Sequence, residues 1–217
     1  MQNPEKVSAR HSTIDEWTEA LAESTGSPGG GAASGVMLAI AYGLTSMVAG
    51  YTDLEGDLSR ECDELRQRAR RGRETALRLA DQDASASESF GSAFRLEPGA
   101  QREDAIRDAS VRAAQASAAL GKQGTEVVSD LEWLARHGNP ALVADVAVAS
   151  GALRAAIAGA RTNVSFDLGS LTSSGDGLSD VRDEHPVLWE TVQELDVVLR
   201  RIDRLSAKIE GHVTAAG

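Results

Sequence analysis

The sequence predicts an all-α protein: a bundle of about six helices around a buried Gly/Ala-rich central helix, assembled as a homodimer. Three observations carry this. Apolar residues recur at intervals of three and four along most of the chain, the helix period, and no convincing strand pattern occurs. Two segments, Ala32 to Tyr51 and Ala141 to Leu153, are nearly free of charge although 25% of the chain is charged. A helix that is apolar all round is one that other helices surround, and two such helices need more cover than one chain of this length readily supplies.

Residues 1–11 read as a flexible N-terminal arm and 12–217 as a single helical domain. Ser12 with Asp15 is the expected cap of a first helix, with Ile14, Trp17 and Leu21 inward and Gly26 at its end. Ser27-Pro28-Gly29-Gly30-Gly31 reads as a loop, because each glycine costs a helix about 1 kcal/mol. The central helix follows. Gly35, Ala39, Gly43 and Gly50 lie on one side of it, where small residues let another backbone approach. Its length of about 21 residues would just span a bilayer, but small residues dominate and Glu23, Asp53 and Glu55 flank it, so no membrane association is expected.

A very long helix comes next, with the stripe Leu54, Leu58, Cys62, Leu65, Ala69, Gly72, Ala76, Leu79, Ala86, Phe90 and Phe94. The one stripe position not occupied by a small or apolar residue is Asp83. A lone carboxylate there is costly unless paired or used; it marks either a functional group, a helix break or a structural hydrogen bond. Asp81 points the other way, toward solvent. Arg66, Arg68, Arg70, Arg71 and Arg73 read as a solvated face balanced by neighbouring acids, or as a local cationic patch for an anionic ligand tail.

After a turn at Leu96-Glu97-Pro98-Gly99, a helix from Arg102 to His137 carries the stripe Ile106, Ala109, Ala113, Ala116, Leu120, Val127, Leu131 and Leu134. Pro140 opens the second charge-poor helix, in which Asp145 is the only charge before Arg154. Asp145 is a candidate functional acid or a buried structural one. Asn163 lies on its side but about 27 Å further on, so the two share a small ligand only across a helix break or a second subunit. Gly169 to Pro186 reads as a loop, and Val187 to Val213 as a last helix with a heptad-like stripe suited to a partner helix.

A net charge of −11 argues against general nucleic-acid binding. One cysteine excludes a disulfide framework and a cysteine metal site, and the four histidines show no ligand spacing. The N-terminus lacks an apolar signal region, so a cytoplasmic protein is expected. The glycine loop before the central helix would offer free N–H groups to an anion or a carbonyl oxygen, or would be a turn that only lets helices pack.

The run Ser27-Pro28-Gly29-Gly30-Gly31, followed by a small-residue helix to Met47-Val48-Ala49, resembles the cyclodeaminase domain of formiminotransferase-cyclodeaminase, a family that includes stand-alone methenyltetrahydrofolate cyclohydrolases. Asp83-Ala84 through Phe94-Arg95-Leu96 resembles its Asp-Ala segment. Gly138-Asn139-Pro140 with Asp145, then Gly159-Ala160 and Asn163-Val164, are similar to two later ones. The resemblance implies an all-helical homodimer acting on tetrahydrofolate one-carbon units, as cyclohydrolase or cyclodeaminase, with no metal or cofactor beyond the folate. It implies Asp83 as acid/base, Asp145 as orienting group or second carboxylate, and Pro28, Gly29, Gly30, Gly31 and Asn163 in folate binding. The chain departs from the family pattern at Ala32, Gly50, Ala144, Ser165 and Asp167, where polar Ser, Asn, Ser, Arg and Asn are usual. A divergent member that binds folate or a partner protein without turnover is the alternative.

Overall fold

The computed structural model describes residues 7–24, 26–172 and 177–215. Among these the chain forms seven α-helices and no strand: α1 (Ile14–Ala22), α2 (Gly30–Gly50), α3 (Gly56–Phe94), α4 (Ala100–His137), α5 (Val143–Thr172), α6 (Leu178–Glu184) and α7 (Pro186–Ala215). A 3-10 turn, Pro140–Leu142, capped by the Asn139 side chain, leads into α5.

The central position of α2 follows from its composition. It touches α3, α4 and α5, and α7 closes the far side against α4 and α5. α2 and α3 run antiparallel, so Gly35 faces Ala80 near one end and Gly50 faces Arg66 at the other. A β-carbon on Gly35 would lie 2.7 Å from the Ala80 β-carbon, so the small residue is what allows the helices this close. α5 is antiparallel to α2 as well. Gly159 packs on Ser34, while Asn139, just before α5, donates through its backbone to Thr52 Oγ1 beyond the end of α2. Leu38, Tyr42, Leu65, Leu120, Leu131, Leu153, Ile157 and Ile202 fill the space between, all buried.

Several expectations are corrected. The first helix is capped by Thr13 with Glu16 in a capping box, one residue later than expected, and Ile14 is 84% exposed. Gly30 and Gly31 are not loop but the first turn of α2. There is no break at Asp83: α3 is continuous through it. On α4 the buried residues of the first half are Ala109, Ser110, Ala114, Ser117 and Ala118 rather than Ala113 and Ala116. Serine was not read as core, yet Ser110 satisfies its hydroxyl on the Ile106 carbonyl. The supposed loop from Gly169 is helical to Thr172 and again over Leu178–Glu184; residues 173–176 lie outside the described residues. The α7 stripe is consumed within the chain: Leu195, Ile202, Leu205 and Ile209 join the central core.

The N-terminal arm is tethered from residue 8. Asp81, expected in solvent, accepts the Ser8 hydroxyl at 2.8 Å and the Ala9 N–H at 2.7 Å. Residues 1–6 of the expected arm lie outside the described residues. Asp81→Asn keeps one acceptor and should therefore lower stability by about 1 kcal/mol, the net scale of one ordinary hydrogen bond. It should leave any activity unchanged. Thermal denaturation beside a rate assay checks both.

By length and composition, Gly30–Gly50 and Pro140–Thr172 would each suffice to cross a membrane. In the bundle each buries one face and leaves the other open. The less buried stripe of α2 runs through half-buried Val36, Gly43 and Met47 and exposed Ile40, and the exposed stripe of α5 through Ala144, Val148, Gly151, Ala155 and Phe166. Nothing approaches where Gly43 or Gly151 would carry a β-carbon.

Candidate active site

The first turn of a helix leaves three or four N–H groups without partners. In α2 the capping residue is Gly29, which has no side chain to offer. Asp83 on α3 takes that role from outside: its carboxylate accepts the Ala32 N–H and, at 3.4 Å, the Ser117 hydroxyl from α4. Among the described residues the Gly30 and Gly31 N–H groups have no acceptor. They are available to a carbonyl oxygen or an anion.

Gly31 is required here. A β-carbon on it would overlap all three carboxyl atoms of Asp83, whereas Gly29 and Gly30 face open space. The loop is fixed to the same stretch of α3, since the Ser27 hydroxyl donates to the Ala84 carbonyl at 2.9 Å, and Pro28 is buried. Trp17 on α1 packs with Ala32 and Ala84 and closes this end of the bundle.

Asp83 is 5% exposed. Burial pushes its carboxyl above the ordinary aspartate range, opposed by the hydrogen bonds from Ser117 and Ala32. A second acid shares the corner. Asp167, near the end of α5, is 8% exposed, and its carboxyl is pushed up to about 7, first by burial and then by the charge of Asp83. Asn163, one turn earlier, is half-buried on the same face of α5, between Asp167 and the Gly159–Ser34 contact.

Asp145 is not part of this constellation. It is half-buried in the first turn of α5, 22 residues before Asp167, hence about 33 Å away along the helix axis. A carboxylate in a first turn is favoured by the helix dipole. Within one chain the unbroken α5 therefore places Asp145 and Asp83 at opposite ends of the bundle.

The arginines of α3 are mostly engaged or solvated. Arg68 pairs with Asp130 at 2.8 Å and Arg73 approaches Glu74. Arg68 and Arg71 line a recess of about 240 Å³ with Tyr42, Thr75 and Gln123, though Glu126 and Asp130 line it too. No group of three or more metal-ligating side chains occurs among the described residues.

The family model described as formiminotransferase-cyclodeaminase matches residues 13–176, which include Asp83, Ser117, Asn163 and Asp167. The chain belongs to the formiminotransferase-cyclodeaminase family. A methenyltetrahydrofolate cyclohydrolase of Methylorubrum extorquens is 25% identical to this family member over 213 residues, covering 93% of the chain and 95% of the relative. The crystal structure of a formiminotetrahydrofolate cyclodeaminase from Thermotoga maritima superposes with a TM-score of 0.80 at 24% identity, over 94% of this chain and 98% of that one. That likeness establishes the family fold.

Of the residues at this corner, Asp83 and the neighbouring glycines stand out in the sequence, whereas Ser117 and Asp167 do not. Ser117 was hidden by a stripe read one face off. In the sequence Asp167 is only a departure from the family's asparagine; its spacing of four from Asn163 is the available signal.

Proposed function

We propose that the chain is a tetrahydrofolate one-carbon enzyme, a methenyltetrahydrofolate cyclohydrolase. The observation that carries this is the buried Asp83 carboxylate at the start of the glycine-rich helix, inside the segment matched to the family. The full-length likeness to a cyclohydrolase favours hydrolysis; the likeness in fold to a cyclodeaminase makes deamination of formiminotetrahydrofolate the second reading.

In both reactions the reacting carbon lies between two nitrogens and passes through a cationic form. A carboxylate in a dry corner stabilises that cation far better than water does. In hydrolysis water adds to the carbon, Asp83 accepts a proton, and the ring opens as one nitrogen leaves. The free N–H groups of Gly30 and Gly31 are suited to a folate carbonyl, with Gly29 and Pro28 shaping the loop and Asn163 offering an amide. The reaction so written uses the chain, the folate and one water.

The purified protein should consume methenyltetrahydrofolate, followed by its ultraviolet absorbance, faster than buffer. Ammonia release from formiminotetrahydrofolate would favour the second reading. Turnover of neither would overturn both and leave the binding-only alternative.

We also propose a homodimer through the open faces of α2 and α5. Val148 and Phe166 are 60% and 69% exposed on an otherwise small, uncharged stripe. Such a contiguous apolar surface marks an association site. A two-fold axis perpendicular to α2 would bring opposite ends together, so that the partner's Asp145 approaches this protomer's Asp83 end. Only in this way would Asp145 join the site. Light scattering should give twice the chain mass for the wild type and one chain mass for Val148→Asp, since a buried unpaired charge is not tolerated at such a contact. A monomeric wild type at micromolar concentration would contradict it.

A further inference from the structure

The buried corner holds more acid than one carboxylate. Two independent contacts fix where Asp167 sits. Ser170 donates its hydroxyl to Ser110 Oγ at 3.0 Å, joining α5 to α4 beside it, and Val164 and Leu168 pack with Ala114 and Ala118. Ser117, on the same buried face of α4, donates to Asp83. Running antiparallel to α2 from the Gly159–Ser34 contact, two further turns of α5 bring Asp167 level with the start of α2, where Asp83 lies.

The two carboxyls are treated differently. Asp83 accepts two hydrogen bonds and sits at the positive end of α2. Asp167 receives no donor from the described residues. A buried carboxylate without donors beside a second negative charge is unfavourable; a protonated one is not. α2 carries no charged residue. On α3 Asp81 is turned to the N-terminal arm, on α4 Arg107 is held by Glu184 of α6, and on α5 Arg161 is held by Asp196 of α7.

We infer that Asp83 and Asp167 act as one proton-sharing pair, with Asp83 the ionised member, and that Asp167 donates the proton taken up by the leaving ring nitrogen. This rests on the folate reading of the site. The step balances. Water oxygen bonds to the methenyl carbon, and one water proton passes to Asp83 and then to solvent. The bond from carbon to the ring nitrogen breaks, its electron pair stays on nitrogen, and nitrogen takes the Asp167 proton. The remaining hydroxyl proton of the adduct returns to Asp167 as the formyl group forms. The net change is addition of water and release of one proton. Environments that separate two neighbouring carboxyls into a base and an acid suit this division.

The test compares wild type, Asp83→Asn and Asp167→Asn, each verified as folded by circular dichroism, by carbon-13 NMR of labelled aspartate carboxyls and by the pH dependence of methenyltetrahydrofolate hydrolysis. The wild type should show a carboxyl titrating near neutrality that is absent in Asp167→Asn and moves to lower pH in Asp83→Asn, where the neighbouring charge is gone. Turnover of Asp167→Asn should fall about 10²-fold near neutral pH, and the decline of the wild-type rate on the alkaline side should vanish. Stability gives a readout independent of activity. Asp167 binds its proton more tightly folded (about 7) than unfolded (about 3.9), so wild-type stability falls as pH rises between these values. The melting temperature of Asp167→Asn should lack that decline and exceed the wild type's above neutrality. A neutral-range carboxyl that survives in Asp167→Asn, or an unchanged alkaline limb, overturns the inference. A wild type that turns over neither folate overturns the proposed reaction and the acid role with it, while the carboxyl titration still decides the pair.

Discussion

Replacing Asp83 with asparagine is expected to keep the fold and lower turnover by about 10²-fold or more, the usual contribution of a positioned acid or base. The amide oxygen can still accept the Ala32 N–H and the Ser117 hydroxyl, so the start of α2 stays capped. What is lost is the charge and the exchangeable proton. Burial makes that charge unfavourable in the resting protein, so the variant should be as stable as the wild type or more so at neutral pH. The opposite pattern, a lowered melting temperature with turnover intact, would make Asp83 a structural cap only. Asp81→Asn supplies the contrast on the same helix, because Asp81 holds the N-terminal arm and not α2.

The second large effect is expected at Gly31. Alanine there places a methyl group on the Asp83 carboxyl, and either α2 or Asp83 must shift. Overpacking of a buried contact costs about 1–3 kcal/mol, and displacement of the carboxylate should remove most turnover as well. Gly30→Ala is the neighbouring control: its methyl group enters open space, so stability should hold or rise slightly because the unfolded chain is less flexible. Denaturant midpoints and initial rates of the two variants decide this. Equal behaviour would mean that Gly31 is not pressed on the carboxylate.

The helices were legible because their apolar period is strong, and Asp83 because it interrupts an otherwise small and apolar stripe. The close approach of α2 and α3 was legible in Gly35 and Gly50. Three features were not. Glycines at 30 and 31 were read as loop from intrinsic propensity, but a helix begun by an external carboxylate needs no side-chain cap and has no room for one at Gly31. The α4 stripe was misphased because its inward residues include serines, which local bonds to backbone carbonyls make compatible with burial. Asp145 and Asp83 both looked like lone acids in apolar surroundings. Only the unbroken course of α5 shows that one is half-buried at a helix start and the other enclosed beside Asp167.

A bound folate should sit at the start of α2. Backbone amide NMR of the wild type, titrated with a non-reactive reduced folate, should show its largest shifts at Gly30, Gly31 and Ala32, with further shifts at Asp83 and Ser117. Shifts confined to the recess of Arg68 and Arg71, or to the acidic hollow of Glu16, Glu19 and Glu23, with the start of α2 unmoved, would contradict it.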